Sequence, residues 1–355
     1  MAEKTLLTDL SYEQLQAWVI GQGEQPYRAQ QLFEWIYHSL ASEFADMTNL
    51  PTHFRRRLAD VAQVQALQPL ETVTSANGLT SKILFRLRDG ETIESVLMFY
   101  EGRHTACISS QVGCAIGCPF CATGQSGFER DLSAGEIVGQ VLYLAGQLRG
   151  HDTPITNVVL MGMGEPLANY DAVLRATRIL HDPRGFGLGA RRFTISTVGL
   201  VPGIKRLERE KLAVGLAVSL HAADDALRDR LVPVNRRYPI SGLMEACRKY
   251  VRHTGRRISF EYVLIDGVND DAEQARKLGR LLHGLLCHVN LIPLNPTADS
   301  EYQPSRRERI QAFRRTLNRM GIANTVRLAR GIDVQAGCGQ LRSRCGRDSE
   351  MTDAD

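Results

Sequence analysis

The chain has 355 residues, of which 43 % are hydrophobic and 23 % are charged. This composition is ordinary for a globular protein with a sizeable core, and the length predicts one large or two to three ordinary domains. No apolar run is long enough to span a bilayer, and the first residues, MAEKTLLTDL, lack the basic start and apolar stretch of a signal peptide. We therefore expect a cytoplasmic protein without a membrane partner, whose eight cysteines serve metal binding or catalysis rather than a disulfide framework.

The net charge of +4 is unevenly distributed. Residues 302–346 contain ten arginines and only two acidic residues, Glu308 and Asp333, which gives this segment a net charge of +8. Such an arginine excess indicates a phosphate-binding surface, but a solvated face of an amphipathic helix has the same composition.

The first 70 residues are predicted to form a small helical accessory domain. The pattern indicates a helix over Tyr12–Gly21 capped by Asp9 or Ser11, a second helix that begins at Pro26, and a third that carries Arg55-Arg56-Arg57. A module that contributes to binding and a module that only packs against the rest of the protein are equally compatible with this segment.

Residues 71–100 are predicted to form a connecting β-hairpin. The strands Ser81–Leu87 and Ile93–Phe99 are separated by the turn signal Asp89-Gly90. Glu94 lies on the second strand, where a lone carboxylate ordinarily faces solvent.

From Thr105 onward, apolar strands alternate with amphipathic helices. The predicted strands are Thr105–Ser110, Asn157–Gly162, Arg192–Val198, Ala213–Leu220, Ile258–Ile265, His288–Leu294 and Thr325–Ala329. The predicted helices are Ala134–Leu148, Tyr170–His181, Gly203–Glu210, Asp225–Leu231, Ser241–His253, Ala272–Leu285 and Ser305–Met320. This order predicts an α/β fold, a partial (β/α)6 TIM-like barrel over residues 101–330, with ligands at the carboxyl ends of its strands.

Three cysteines follow the first barrel strand with the spacing C-x3-C-x2-C, namely Cys114, Cys118 and Cys121. The short spacers let the three thiolates converge, and Gly113 and Gly117 permit the backbone dihedrals that such a loop requires. Three thiolates would hold a 4Fe–4S cluster with one iron open to a small molecule. Structural zinc is the alternative, with a fourth ligand from Cys107 or a distant histidine.

Polar residues stand at the ends of several predicted strands. Gly164 and Glu165 end the second strand, Ser196 the third, Ser219 and His221 the fourth, and Asn295 the sixth. Hydroxyl, imidazole, amide and carboxylate groups from separate strands would meet at one mouth, which suits the polar groups of a nucleoside.

The last segment, residues 331–355, is predicted to be a flexible loop and tail that carries Cys338 between Gly337 and Gly339. Cys345 follows seven residues later and has no assigned role. Cys247 and Cys287 lie in apolar patterns and are expected to be small buried hydrophobic residues.

The string Ser-Ser-Gln-Val-Gly-Cys114-Ala-Ile-Gly-Cys118-Pro-Phe-Cys121-Ala-Thr-Gly resembles the radical S-adenosylmethionine (SAM) signature, and more narrowly that of the RlmN/Cfr class of radical SAM RNA methyltransferases. The segment Cys338-Gly-Gln-Leu is similar to the segment of that class whose cysteine is itself methylated. Gly337, where the class leads us to expect alanine, is a departure that would loosen the loop.

The resemblance implies a role for each of these residues. Cys114, Cys118 and Cys121 would hold one 4Fe–4S cluster per subunit, and SAM would bind to it. The SAM contacts implied are Gly164, Glu165, Ser196, Ser219, Leu220, His221 and Asn295. Cys338 would be methylated by a first SAM, and a radical derived from a second SAM would activate that methyl group for addition to adenine. Cys107 would then attack the Cys338 sulfur and release the base with formation of a disulfide, while Glu94 would accept the ring proton.

The substrates implied by the resemblance are adenine-2503 in the peptidyl-transferase centre of 23S rRNA, methylated at C2, and adenine-37 of tRNA. A monomer served by an electron donor such as flavodoxin is expected. Three alternatives remain open at this stage: C8 methylation of the Cfr type, a radical SAM enzyme that uses SAM only as an oxidant, and a zinc-containing RNA-binding module.

Overall fold

The computed structural model describes residues 4–149, 154–297, 300–327 and 330–342. Its helices are α1 Tyr12–Gly21, α2 Tyr27–Tyr37, α3 Thr52–Val61, α4 Ala122–Gln125, α5 Ala134–Gln147, α6 Tyr170–His181, α7 Val201–Glu208, α8 Asp225–Leu231, α9 Ile240–Thr254, α10 Ala272–Leu282 and α11 Arg307–Arg319. Its strands are β1 Thr5–Leu6, β2 Ala62–Gln63, β3 Gln68–Thr74, β4 Thr80–Arg86, β5 Thr92–Tyr100, β6 Arg103–Cys107, β7 Gln111–Gly113, β8 Phe128–Asp131, β9 Asn157–Leu160, β10 Phe193–Thr197, β11 Gly215–Ser219, β12 Ile258–Leu264, β13 Cys287–Pro293 and β14 Asn324–Val326.

A ten-stranded sheet forms the centre of the molecule, with the order β14-β13-β12-β11-β10-β9-β6-β5-β4-β3. Neighbouring strands from β6 through β14 run parallel, and β3, β4, β5 and β6 are successively antiparallel. The helices between the parallel strands bury their apolar faces in one large core. The predicted alternation of strands and helices is thereby confirmed, and all carboxyl ends of the parallel strands lie on one side.

The amino-terminal helices form the compact unit that the sequence predicted. Ser11 caps α1 in a reciprocal capping box with Gln14, which selects it over Asp9 as the cap. The short parallel pair β1–β2 joins the start of this unit to its end, at Thr5 and Ala62. Asp9 instead accepts a hydrogen bond from the Gly135 backbone N–H at the start of α5, and so fastens the unit to the barrel.

The antiparallel part of the sheet is larger than predicted. The sequence indicated a two-stranded hairpin, but β3 adds a third strand, so residues expected at the end of the helical domain belong to the sheet. All but one residue of β3 are exposed, so it carries little of the apolar alternation by which strands are recognised. The last predicted strand is shortened to Asn324–Val326, and Leu328, Ala329 and Cys345 lie outside the described residues.

Candidate active site

A central cavity lies at the carboxyl ends of the parallel strands and encloses about 860 Å³ of space, part of it open to solvent. Eight of the residues singled out in the sequence line it: Cys118, Cys121, Gly164, Glu165, Ser196, Ser219, His221 and Asn295. Cys338 joins them from the carboxyl-terminal segment. The size is that of a pocket for a small-molecule ligand, and its walls combine apolar side chains with a few polar groups.

The three-cysteine loop is held at both ends by a hairpin that the sequence did not reveal. Strands β7 and β8 pair antiparallel, and the Cys114 backbone N–H donates to the Gly127 carbonyl at 2.6 Å. Gly113 has φ +72°, and a Cβ atom there would lie 2.1 Å from the Gly127 carbonyl oxygen. The glycine is therefore required by both dihedral angle and space.

The three thiols lie close enough to influence one another. Burial and, to a smaller extent, the charge of Cys121 together raise the pKa of Cys114 to about 12. Burial also raises the pKa of Cys118 well above its ordinary value, with added contributions from Cys121 and Cys114. A positive cluster would reverse this effect, because it stabilises thiolates.

The donor set of this loop suits an iron–sulfur cluster. Three soft thiolates would bind three of the four irons of a 4Fe–4S cluster and leave the fourth iron open to a ligand. Cys118 and Cys121 face the cavity, so a small molecule in the cavity would meet such a cluster directly.

Glu165 is buried beside the loop and fixed by backbone donors. Its Oε2 accepts from the Val198 N–H at 2.7 Å and its Oε1 from the Leu167 N–H at 2.9 Å. Burial nevertheless raises the pKa of Glu165 to about 7. A carboxylate in this setting is ready to receive an ammonium group, which would compensate its desolvation.

The end of β11 places two of its three predicted residues in the cavity. Ser219 and His221 line it, whereas Leu220 is fully buried in the core and is absent from the lining. The alternation of side chains explains why Leu220 faces the other way. His221 Nδ1 accepts from the Val263 N–H, and burial lowers the pKa of His221 to about 3, so the ring is neutral and its Nε2 carries the proton.

The segment that carries Cys338 is packed into the site rather than loose. The Gly339 carbonyl accepts from the Ala122 N–H at 2.7 Å, and the Cys338 carbonyl accepts from Asn295 Nδ2 at 3.1 Å. Gln340 Nε2 donates to the Pro296 carbonyl. Gly337 fits closely here, because a Cβ atom would lie 2.6 Å from Asn295 Nδ2. The expectation that Gly337 loosens the loop stays a prediction.

Cys107 and Cys338 line one further cavity together, next to the central one. Both are free thiols. Burial raises the pKa of Cys107 to about 12, with an added contribution from Cys338. Cys338 is accessible to solvent in the cavity, but the crowding of protein atoms raises its pKa, and Arg327 opposes that effect.

Glu94 is buried, which overturns the expectation that a lone strand carboxylate faces solvent. Its Oε1 lies 2.9 Å from Lys82 Nζ, and its Oε2 accepts from the Arg342 N–H at 3.0 Å. Glu94 does not line the cavities that hold Cys107 and Cys338. In this arrangement it anchors the carboxyl-terminal segment, and its role as proton acceptor stays a prediction.

Two charged residues of the site were missed in the sequence. Glu261 is buried on β12 and lines the central cavity; its only sequence signal is a charge inside an apolar strand. Arg228 on α8 is completely buried and donates to the carbonyls of Leu220, Val198 and Ser219. It thereby ties the ends of β10 and β11 together, and nothing in its sequence context distinguishes it from an exposed helix arginine.

Part of the arginine-rich segment forms the solvated face of an amphipathic helix, and phosphate binding by these arginines stays a prediction. Helix α11 buries Ile310, Phe313 and Leu317, and its arginines are exposed. In the amino-terminal cluster, Arg55 and Arg57 donate to the Ala45 and Gln22 carbonyls and therefore help to hold their own domain together.

Comparison with known proteins agrees with this geometry. Residues 108–279 match the radical SAM superfamily, and residues 5–64 match the ribosomal RNA large subunit methyltransferase N-terminal domain. A solved radical SAM methyltransferase from Sphaerobacter thermophilus is 53 % identical and superimposes with a TM-score of 0.94, covering 95 % of this chain and 99 % of its own. The parallel sheet, the three-cysteine loop and these matches define a radical SAM enzyme, a class that uses a 4Fe–4S cluster and SAM.

The curated relatives narrow the class. A probable dual-specificity RNA methyltransferase RlmN from Moorella thermoacetica is 49 % identical and covers 96 % of this chain and 98 % of its own. Dual-specificity RNA methyltransferase RlmN 1 from Myxococcus xanthus is 48 % identical, and the match covers 98 % of this chain and 96 % of the relative. The chain belongs to the RlmN family of SAM-dependent RNA methyltransferases. Across the residues that the structure describes, none of the helices has the length and apolar character needed to cross a membrane.

Proposed function

We propose that this enzyme methylates C2 of adenine-2503 in 23S rRNA and of adenine-37 in tRNA. The observation that carries the proposal is the meeting of Cys338, Cys107 and the three-cysteine loop around adjoining cavities. An adenine C2 is neither acidic nor nucleophilic, so transfer of a methyl cation to it is unfavourable, whereas a carbon radical can add to it. The dual-specificity names of the relatives support both RNA substrates.

Cys114, Cys118 and Cys121 would hold the cluster, which supplies the electron for reductive cleavage of SAM. Glu165 would accept from the SAM amino group, and the neutral His221 would donate through Nε2. Ser196, Ser219, Asn295 and the backbone at Gly164 would complete the nucleoside pocket. Leu220 would contribute only through the position of its neighbours, because its own side chain lies in the core.

Cys338 would carry the methyl group to the base. Its thiol must be deprotonated to accept a methyl group, and the nearby Arg327 favours the thiolate. Cys107 would then attack the Cys338 sulfur in a thiol–disulfide type of exchange that frees the methylated base. Glu94 would accept the C2 proton only after the carboxyl-terminal segment moves, since both of its oxygens are engaged.

The target adenine has to leave its stack to reach these cavities, as it does for other enzymes that modify bases. Exposed arginines on α11 would hold the surrounding phosphates, which makes RNA binding depend on salt. We further propose that the enzyme acts as a cytoplasmic monomer and takes electrons from a donor such as flavodoxin.

C8 methylation of the Cfr type uses the same cysteines and SAM contacts, so the experiment must identify the carbon. The reconstituted enzyme is incubated under anaerobic conditions with SAM, a reductant and 23S rRNA, and then Cys338 and the RNA are analysed by mass spectrometry. A methyl group on Cys338 and 2-methyladenine in the RNA support the proposal, whereas 8-methyladenine selects the alternative.

A matched variant separates methyl transfer from simple SAM cleavage. Cys338→Ala should abolish RNA methylation and leave SAM cleavage intact. Unchanged RNA methylation by Cys338→Ala would refute the role of this cysteine. Cys287→Ala is the control, since Cys287 lies outside the cavities described here.

A further inference from the structure

A second, polar cavity of about 1110 Å³ adjoins the central one. It is lined by the polar side chains of Thr194, Ser259, Asn290 and Thr325, which come from four strands of the parallel sheet, β10, β12, β13 and β14. It shares Glu261 with the central cavity, and Arg327 and Arg330 with the cavity of Cys107 and Cys338. A group bound here would therefore lie beside the reactive thiols and outside the proposed SAM pocket.

Glu261 is the carboxylate at the junction of these cavities, and only 4 % of its surface is exposed. Its Oε1 accepts from Asn290 Nδ2 at 2.8 Å and lies 3.6 Å from the Arg327 guanidinium. Its Oε2 is buried and has no hydrogen-bond partner within the described structure. An unpaired buried carboxylate oxygen costs free energy, so it points to a ligand that supplies the missing donor.

Neighbouring side chains keep that oxygen free. The Thr325 hydroxyl donates to Asn290 Oδ1 at 3.1 Å, and Thr325 itself contacts His288 Nε2 at 2.8 Å. These hydrogen bonds orient the Asn290 side-chain amide so that its N–H group donates to Glu261 Oε1. Asn290 and Arg327 both engage Oε1, and Oε2 is left without a partner among the described residues.

The same cavity carries cations suited to a phosphate. The Arg103 and Arg330 guanidinium groups lie 4.2 and 4.3 Å from the centre of the Tyr100 ring, and all three residues line the cavity. A nucleotide would thus find donors for its phosphate and an acceptor for its base within one cavity.

We propose that Glu261 recognises the exocyclic amino group of the target adenine, accepting an N–H bond on Oε2. This inference rests on the proposed RNA methylation and names the residue that selects adenine. Guanine presents a carbonyl oxygen at the equivalent ring position, so the carboxylate would repel it. The contact would also satisfy Glu261 Oε2, a buried carboxylate oxygen that has no partner among the described residues.

The test compares the affinity of the enzyme for two RNA hairpins that differ only in the exocyclic amino group of the target base. One carries an unpaired target adenosine, and the other carries purine riboside, which lacks only the amino group. Dissociation constants are measured by fluorescence anisotropy at fixed salt with the reconstituted enzyme. The wild type should prefer adenosine by roughly ten- to 150-fold, the value of one good base-edge contact.

Substitution of Glu261 should remove this preference. Glu261→Met conserves volume and should bind both hairpins within about twofold of each other, whereas Glu261→Gln retains an acceptor and should keep most of the preference. Glu273→Ala removes an exposed carboxylate on α10 and should behave as the wild type. The thermal midpoint of each variant reports whether the fold is intact.

Two results would overturn the inference: a wild type that binds both hairpins equally, or a folded Glu261→Met variant that keeps the wild-type preference. If Glu261→Met does not fold, Glu261→Ala takes its place in the same comparison of the two hairpins. Failure of the proposed function is seen separately, as absence of methyladenine from RNA treated with the wild type.

Discussion

The buried ion pair of Lys82 and Glu94 gives the sharpest test of how the carboxyl-terminal segment is held. The Nζ and Oε1 atoms are 2.9 Å apart, and the side chains are only 7 % and 1 % exposed. Lys82→Met would leave the Glu94 carboxylate buried without its cation. We expect the free energy of unfolding to fall by about 3–5 kcal/mol, the usual cost of breaking such a pair.

An exposed pair provides the matched control. Lys249 and Glu245 are 2.7 Å apart, but their side chains are 45 % and 66 % exposed. Lys249→Met should therefore cost much less stability than Lys82→Met, because solvent screens that pair. Removal of both buried charges, in Lys82→Met with Glu94→Leu, should recover most of the loss, since no uncompensated charge remains.

Urea unfolding followed by circular dichroism measures these differences as shifts of the midpoint at constant slope. Hydrogen exchange at residues 337–342 reports on the segment itself, because Glu94 also accepts from the Arg342 N–H. The reasoning fails if Lys82→Met costs no more than Lys249→Met, or if the double variant is less stable than Lys82→Met alone.

Three further predictions concern the site. Gly113→Ala should prevent iron incorporation, because its Cβ would lie 2.1 Å from the Gly127 carbonyl oxygen. Gly117→Ala is the control: its φ is +69° but the space around it is open, so the substitution should cost only about 1–2 kcal/mol of backbone strain. The iron content of each variant after reconstitution tests this prediction. Arg228→Leu should lower the unfolding free energy by about 2–3 kcal/mol, because buried carbonyls lose their donor, as urea unfolding will show. SAM should bind more tightly as the pH rises from about 6 to 7.5. The reason is that burial raises the pKa of Glu165 to about 7, so its carboxyl group becomes ionised over that range. Titration calorimetry should find that the affinity of Glu165→Gln for SAM does not depend on pH in this way.

Each prediction has a clear contrary result. Full iron loading of Gly113→Ala would show that the loop rearranges freely. Stability equal to the wild type in Arg228→Leu would mean that its buried donors are dispensable. A pH dependence that persists in Glu165→Gln would assign the titration to another group.

The sequence by itself determined the order of strands and helices and the identity of the central groups. The regular alternation of apolar strands and amphipathic helices from Thr105 onward admits essentially one arrangement of a parallel sheet. Because the carboxyl ends of parallel strands share one side, Glu165, Ser196, His221 and Asn295 were bound to meet. Local spacing likewise sufficed for the cysteine loop, since its three thiols lie within eight residues.

Only the tertiary structure decided how these groups are surrounded. Leu220 was expected among the SAM contacts, and only the structure shows that strand alternation turns its side chain into the core. Glu94 was expected at the reaction, which stays a prediction; its oxygens are engaged by Lys82 on the paired hairpin strand and by the backbone of Arg342, which is distant in sequence. Glu261 escaped notice because its significance lies in an unpaired oxygen, which depends on Asn290 alongside it on the neighbouring strand. Burial and partners of a charged side chain arise from contacts across the whole fold, and no local pattern in the sequence encodes them.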